Sequence, residues 1–212
     1  VVLSLTNQLS RIDPMPNWTS DLAWLAVGDR RNPFPFETLD CRPAHAALCK
    51  LSETDELANA LAAVDGQQAE RRGESAIADG FVIDCLIETR IAPASPREVG
   101  ADAAERFDRW RLEVRAGVIA ATRRWTGRDV HRAEYETHGD SLRVCRLTSE
   151  NSLVYGDPRY ALAEFTFLLR TYFERRLSPF PIPPGLSRND SRKIALLGWK
   201  THGAQANFAA FL

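Results

Sequence analysis

Alternation around residue 116 constrains this chain more than any other feature. Between Asp108 and Arg115, Trp110, Leu112 and Val114 fall on one face, and Arg109, Arg111 and Glu113 on the other. That period of two marks a strand with one buried side. Ala116-Gly117 then reads as a tight turn and Val118–Trp125 as the returning strand. So short a connection forces the two strands antiparallel. Val130–Glu136 reads as a third strand, and His138-Gly139-Asp140 as a second turn. Leu142–Thr148 alternates again, with Leu142, Val144 and Arg146 on one face and Arg143, Cys145 and Leu147 on the other. Upstream, Phe81–Ile87 is apolar and β-branched. Together these predict a β-meander of about four to five strands over roughly 81–149, with one buried face and one polar, arginine-lined face.

A meander buried on one side needs a cover. Leu162, Phe165, Leu168, Leu169 and Tyr172 recur at three- and four-residue spacing, which predicts a long amphipathic helix over roughly 158–176. Asp157 is placed to cap it, Pro158 suits its first turn, and Arg175 and Arg176 suit its C-terminal end. Before the sheet, short helices are predicted over 21–27, 43–50 and 55–64, then a loop over 65–78. A further short helix fits 96–105. The prolines of 178–185 predict an extended crossover along the surface, and Asp190 starts a helix through Trp199. The apolar tail Phe208–Leu212 is expected to dock, on this chain or on a partner. The fold class is therefore α+β in a single domain: a mostly helical part (1–78), the sheet-plus-helix core (79–177) and a C-terminal segment (178–212).

Composition narrows the function. With 212 residues, 44% of them hydrophobic, the chain is long enough to bury a core. Its net charge of −1 lacks the basic surplus of a general nucleic-acid binder. Of the 27 basic residues three are lysine (Lys50, Lys193, Lys200), leaving 24 arginines. With the many alanines, this reflects the codon usage of a G+C-rich, bacterium-like genome. No apolar run reaches the length of a membrane span, and VVLSLTNQL has none of the marks of a signal peptide. None of Cys41, Cys49, Cys85 and Cys145 forms a CxxC pair, which points to a reducing cytoplasm.

Phe107-Asp108-Arg109-Trp110, followed by Arg123-Arg124-Trp125-Thr126-Gly127, resembles a pattern in a family of small uncharacterised bacterial proteins. The likeness extends through Arg132–Glu136, Tyr155-Gly156-Asp157-Pro158, Phe165–Phe173 and Pro179-Phe180-Pro181, covering roughly 105–182. Arg124 stands where that family has Ser, which moves its Arg onto Arg123. The resemblance implies the fold arrangement and no activity or catalytic residue.

The candidate ligand- or partner-binding residues are Arg109, Trp110, Arg123, Arg124 and Trp125, brought together on neighbouring strands. Guanidinium groups grip phosphate or carboxylate, and tryptophan stacks on a base. The competing reading puts both tryptophans in the core, with the arginines stacked on them or paired with Glu113 and Glu134. His138, Asp140 and His202 could in principle form a two-histidine, one-carboxylate metal site, but the first two are better explained as a turn. Cys41 or Cys49 with His45 is better explained by helical packing than as a nucleophile and base. Asp84 with Glu88, and Glu134 with Glu136, read as solvated acids. No metal, cofactor or catalytic constellation is expected. The expected function is a non-enzymatic protein-interaction, regulatory or immunity-type module. The alternative is an enzyme or sensor that binds a phosphorylated small molecule or nucleotide through the Arg/Trp cluster.

Overall fold

The computed structural model describes residues 21–52, 77, 79–90, 98–99, 109–124 and 126–212. Among the described residues, two sheets and three α-helices make an α+β fold. The larger sheet has six strands: β3 (Gly80–Arg90), β4 (Glu98–Val99), β5 (Trp110–Arg115), β6 (Val118–Arg123), β7 (Asp129–His138) and β8 (Ser141–Glu150). Their order is β3-β8-β7-β6-β5-β4. β5 to β8 are the expected meander, and β3, earlier in the chain, pairs with β8 at one edge of the sheet. Ala116 (φ 41°) and Gly117 (φ 83°) both take the left-handed conformation that a two-residue hairpin turn between twisted strands requires.

Cross-strand rows set the inner face. One row runs Leu112–Ala121–His131–Ser149–Phe81, and the next Val114–Ile119–Ala133–Leu147–Ile83. The expected faces of β8 need correction here. Leu147 is buried along with Val144, and Arg146 points outward. Between Arg146 and Val144, β8 advances two residues while β7 advances one, from Glu134 to Tyr135. Cys145 is the extra residue of a β-bulge, and the bulge turns Leu147 inward.

The inner face is covered by α2 (Pro158–Leu168), which buries Tyr160, Ala161, Phe165, Phe167 and Leu168. Asp157 caps it, accepting from the backbone N–H groups of Arg159 and Tyr160. The helix widens into a π-turn at Leu169–Phe173, which keeps Leu169 and Tyr172 buried.

The second sheet was not expected. It has the order β1-β2-β10-β9, from β1 (Ala23–Leu25), β2 (Thr38–Asp40), β9 (Phe180–Pro181) and β10 (Phe208–Ala210). The helix expected over 21–27 is therefore wrong. Seven residues are too few to stand alone as a helix, and pairing with β2 buries Leu25 completely. The loop between β1 and β2 is organised by Asn32, whose side-chain amide donates to the carbonyls of Leu25, Ala26 and Phe36.

The proline-rich crossover also departs from expectation. It runs through the interior, burying Ser178 and Phe180–Pro183. Pro181 is tolerated because β9 is an edge strand, where no ladder N–H is needed on the free side. Gly198 of α3 (Ser191–His202) packs against the tip of the Phe180 ring, which a Cβ there would strike. The tail docks within its own chain, with β10 between β2 and β9, while Phe211 and Leu212 stay exposed. α1 (Arg42–Ser52) matches the helix expected from Pro43. Glu98–Val99 form strand β4 where a helix over 96–105 was expected, because they pair with β5. The rest of that segment, and the helix expected over 55–64, lie outside the described residues. Among the described residues no helix is long and apolar enough to cross a membrane.

Candidate functional site

Pairing of β5 with β6 sets Trp110 directly opposite Arg123. Both side chains point inward: Trp110 is fully buried and Arg123 is 7% exposed. The Arg123 guanidinium lies 3.8 Å from the Trp110 ring centroid. One of its nitrogens donates to the Thr201 carbonyl at 2.6 Å, and another sits 3.5 Å from Glu164 Oε1. Glu164 comes from α2, on the stripe that also carries Tyr160, Ala161, Phe165 and Leu168. Its Oε2 lies 3.3 Å from His131 Nε2, and its Oε1 3.7 Å from His202 Nε2. His202 Nδ1 accepts from Trp110 Nε1 at 3.3 Å, which leaves the imidazole proton on Nε2, facing the carboxylate. His131 Nδ1 contacts Ser149 Oγ at 2.9 Å.

Burial and charge compete throughout this cluster. Burial pushes the Glu164 carboxyl up, but the His131 hydrogen bond and the Arg123 charge outweigh it and hold it below its usual range. Burial pulls the Arg123 guanidinium down against the Glu164 charge. Burial drives His202 down to about 3, so at neutral pH its ring is uncharged. Burial also raises the Tyr160 phenol, helped by the Glu164 charge.

Ser149, His131 and Glu164 are strung together as nucleophile, base and acid are in a hydrolase. All three have no exposed surface. The string links α2 to the sheet in the interior. His131, His202 and Glu164 also bring two imidazoles to one carboxylate, yet the Arg123 guanidinium already supplies the cation. Among the described residues no group of His, Cys, Asp and Glu is arranged to hold a metal ion.

The structure thus unites Trp110 and Arg123 and adds Glu164, His131 and His202 to them. Arg109 and Arg124 are joined through the backbone, Arg124 N–H to Arg109 carbonyl at 3.1 Å, and both are half-buried. Trp125 lies outside the described residues. Arg123 takes Glu164 as its partner; Glu113 instead pairs with Arg111 and Arg115, and Glu134 with Arg146. His138 and Asp140 sit exposed at a hairpin turn, far along β7 from the cluster that holds His202. Cys41 is buried and its thiol is pushed well up, chiefly by that burial. His45 turns instead to Asn207 and Trp199.

The outer face is different. Asp84 and Glu134 flank Arg146 at 3.6 and 3.8 Å, Glu88 meets Arg143 at 3.0 Å, and Glu136 lies 3.7 Å from His138. Beside these charges, edge strand β3 exposes Val82 (59%) and Leu86 (70%). An open cleft of about 760 Å³ lies where β3 meets the π-turn, lined by Thr89, Arg90, Phe173 and Glu174 among others. Glu164 had a sequence signal: an acid on an otherwise apolar helical stripe. No protein-family model matches the chain, and neither the curated proteins nor the solved structures include a significant match.

Proposed function

We propose that this chain is a non-enzymatic module of the bacterial cytoplasm, of a regulatory or immunity type, that binds another protein through the β3 side of its outer sheet face. One observation carries the reading: Val82 and Leu86 stand exposed on an edge strand, alternating with Asp84 and Glu88. Long edge strands with exposed apolar side chains invite pairing by another chain. The acids favour a partner segment that alternates basic and apolar residues. The inward commitment of Arg123 and Trp110 supports the same reading, because it leaves the sheet face as the accessible surface.

The test uses the full chain as bait in lysate of its source cells. Leu86→Glu and Asp84→Lys should each abolish capture of a specific protein, and Arg159→Glu on α2 should not. Capture indifferent to both β3 changes contradicts the proposal. A second reading, a phosphorylated small molecule or nucleotide held by Arg109 and Arg124, draws on Lys200. Burial and the Arg123 charge hold that ammonium below its ordinary range, and an anion beside it relieves both. A thermal-shift screen with nucleotides separates the two, since a ligand that binds the folded chain must raise its Tm.

A further inference from the structure

The β3–β8 seam brings two cysteines together. Asp84 pairs with Arg146 and Ile87 with Val144. Between these pairs β3 carries Cys85 and Leu86, and β8 carries only Cys145. Cys85, next to Asp84, and Cys145, next to Arg146, thus share the register shift between these two pairs. Facing residues of antiparallel strands have Cα atoms about 4.5–5.5 Å apart, inside the range of about 4.4–6.8 Å that a disulfide spans. The extra residue of the bulge gives slack to adjust the bond geometry. Both cysteines are free and half-buried, so a small molecule can reach them. After burial itself, Cys145 acts most strongly on the Cys85 thiol, ahead of the adjacent Asp84. Cys41, by contrast, is 1% exposed and lies in the core.

We propose that Cys85 and Cys145 form a reversible modification site, a thiol pair that small disulfides of the glutathione class convert into an intramolecular disulfide. Cys145 gives its proton to solvent and attacks first, because burial raises the Cys85 thiol. It breaks the oxidant's S–S bond, forms a mixed disulfide and releases one small thiolate. Cys85 then gives its proton to solvent, attacks the Cys145 sulfur and expels the second small thiolate. Two protein thiols are oxidised and one small disulfide is reduced to two thiols. The bond ties edge strand β3 covalently to β8. This inference does not depend on the chain binding a partner.

The experiment incubates the full chain with oxidised glutathione, quenches with acid, alkylates the remaining thiols and maps peptides by mass spectrometry. The expected result is the loss of two alkylatable thiols and a peptide linking Cys85 to Cys145, both reversed by dithiothreitol. Cys85→Ser should leave Cys145 as a stable glutathione adduct, because the resolving sulfur is gone. Three outcomes overturn the proposal: both cysteines still alkylatable, a stable adduct on the unaltered chain, or either cysteine linked to Cys49.

Discussion

Arg123 and Arg146 lie on strands of one sheet, and each faces carboxylates: Glu164 for the first, Asp84 and Glu134 for the second. Their side chains differ in exposure, 8% against 51%. On the inner face the Arg123 guanidinium draws on three other elements: a ring from β5, a carboxylate from α2 and a carbonyl from α3. On the outer face the partners are neighbouring strands, and water shares the charges. One residue type therefore does two jobs. A buried cation ties helix to sheet, because a packing that removed its carboxylate would leave the charge uncompensated. A solvated cation adds little to stability and stays available to a partner.

The largest expected effect comes from stripping the inner cluster of its anion. Glu164→Ala leaves Arg123 buried and uncompensated, and should cost about 3–5 kcal/mol of unfolding free energy in a urea titration. If the loss stays below about 1 kcal/mol, the inner and outer arginines are not different in kind.

A second effect is pH dependence. Folded His202 titrates near 3 against 6.5 in the unfolded chain, so between those values the unfolded chain binds the extra proton. Stability is therefore full above about 6.5 and falls as the solution is acidified, by about 2 kcal/mol between pH 7 and 5. Glu164 adds to this at lower pH. Its folded pKa lies below 4.5, so the stability it contributes is present above that value and is lost as pH falls through the folded one. His202→Gln should flatten the slope between pH 7 and 5. An unchanged slope shows that another group is responsible.

Much of the fold was legible in the sequence because alternation and helical spacing are local signals. β5, its turn and β6 follow directly from Trp110, Leu112 and Val114 on one face. Asp157 was legible as a cap, and Asp157→Ala should cost about 1 kcal/mol. The rest depended on contacts distant in sequence. Residues 23–25 become a strand only because β2 and β10 assemble the second sheet beside them. Phe180–Pro183 is buried where α3 presents Gly198 to Phe180. The bulge at Cys145 has no local signature, and without it Leu147 is assigned to the wrong face. The Arg/Trp cluster was legible as a constellation but not as an interior one. Period-two reasoning puts Arg123 in line with Ala121 and Ile119, both inward, and that parity was the clue to its burial.

The smallest expected effect is on the outer face. Asp84→Ala, or Arg146→Ala, should change stability by no more than about 0.5 kcal/mol, even where it weakens partner capture. A larger loss would show that the outer ladders hold the sheet together.

The most direct measurement is a pair of double-mutant cycles by chemical denaturation, one at Arg123 and Glu164 and one at Arg146 and Asp84. The account predicts a coupling of at least about 2 kcal/mol for the inner pair and less than about 0.5 kcal/mol for the outer pair. Equal couplings, or an Arg123→Met chain as stable as the unaltered one, would contradict it.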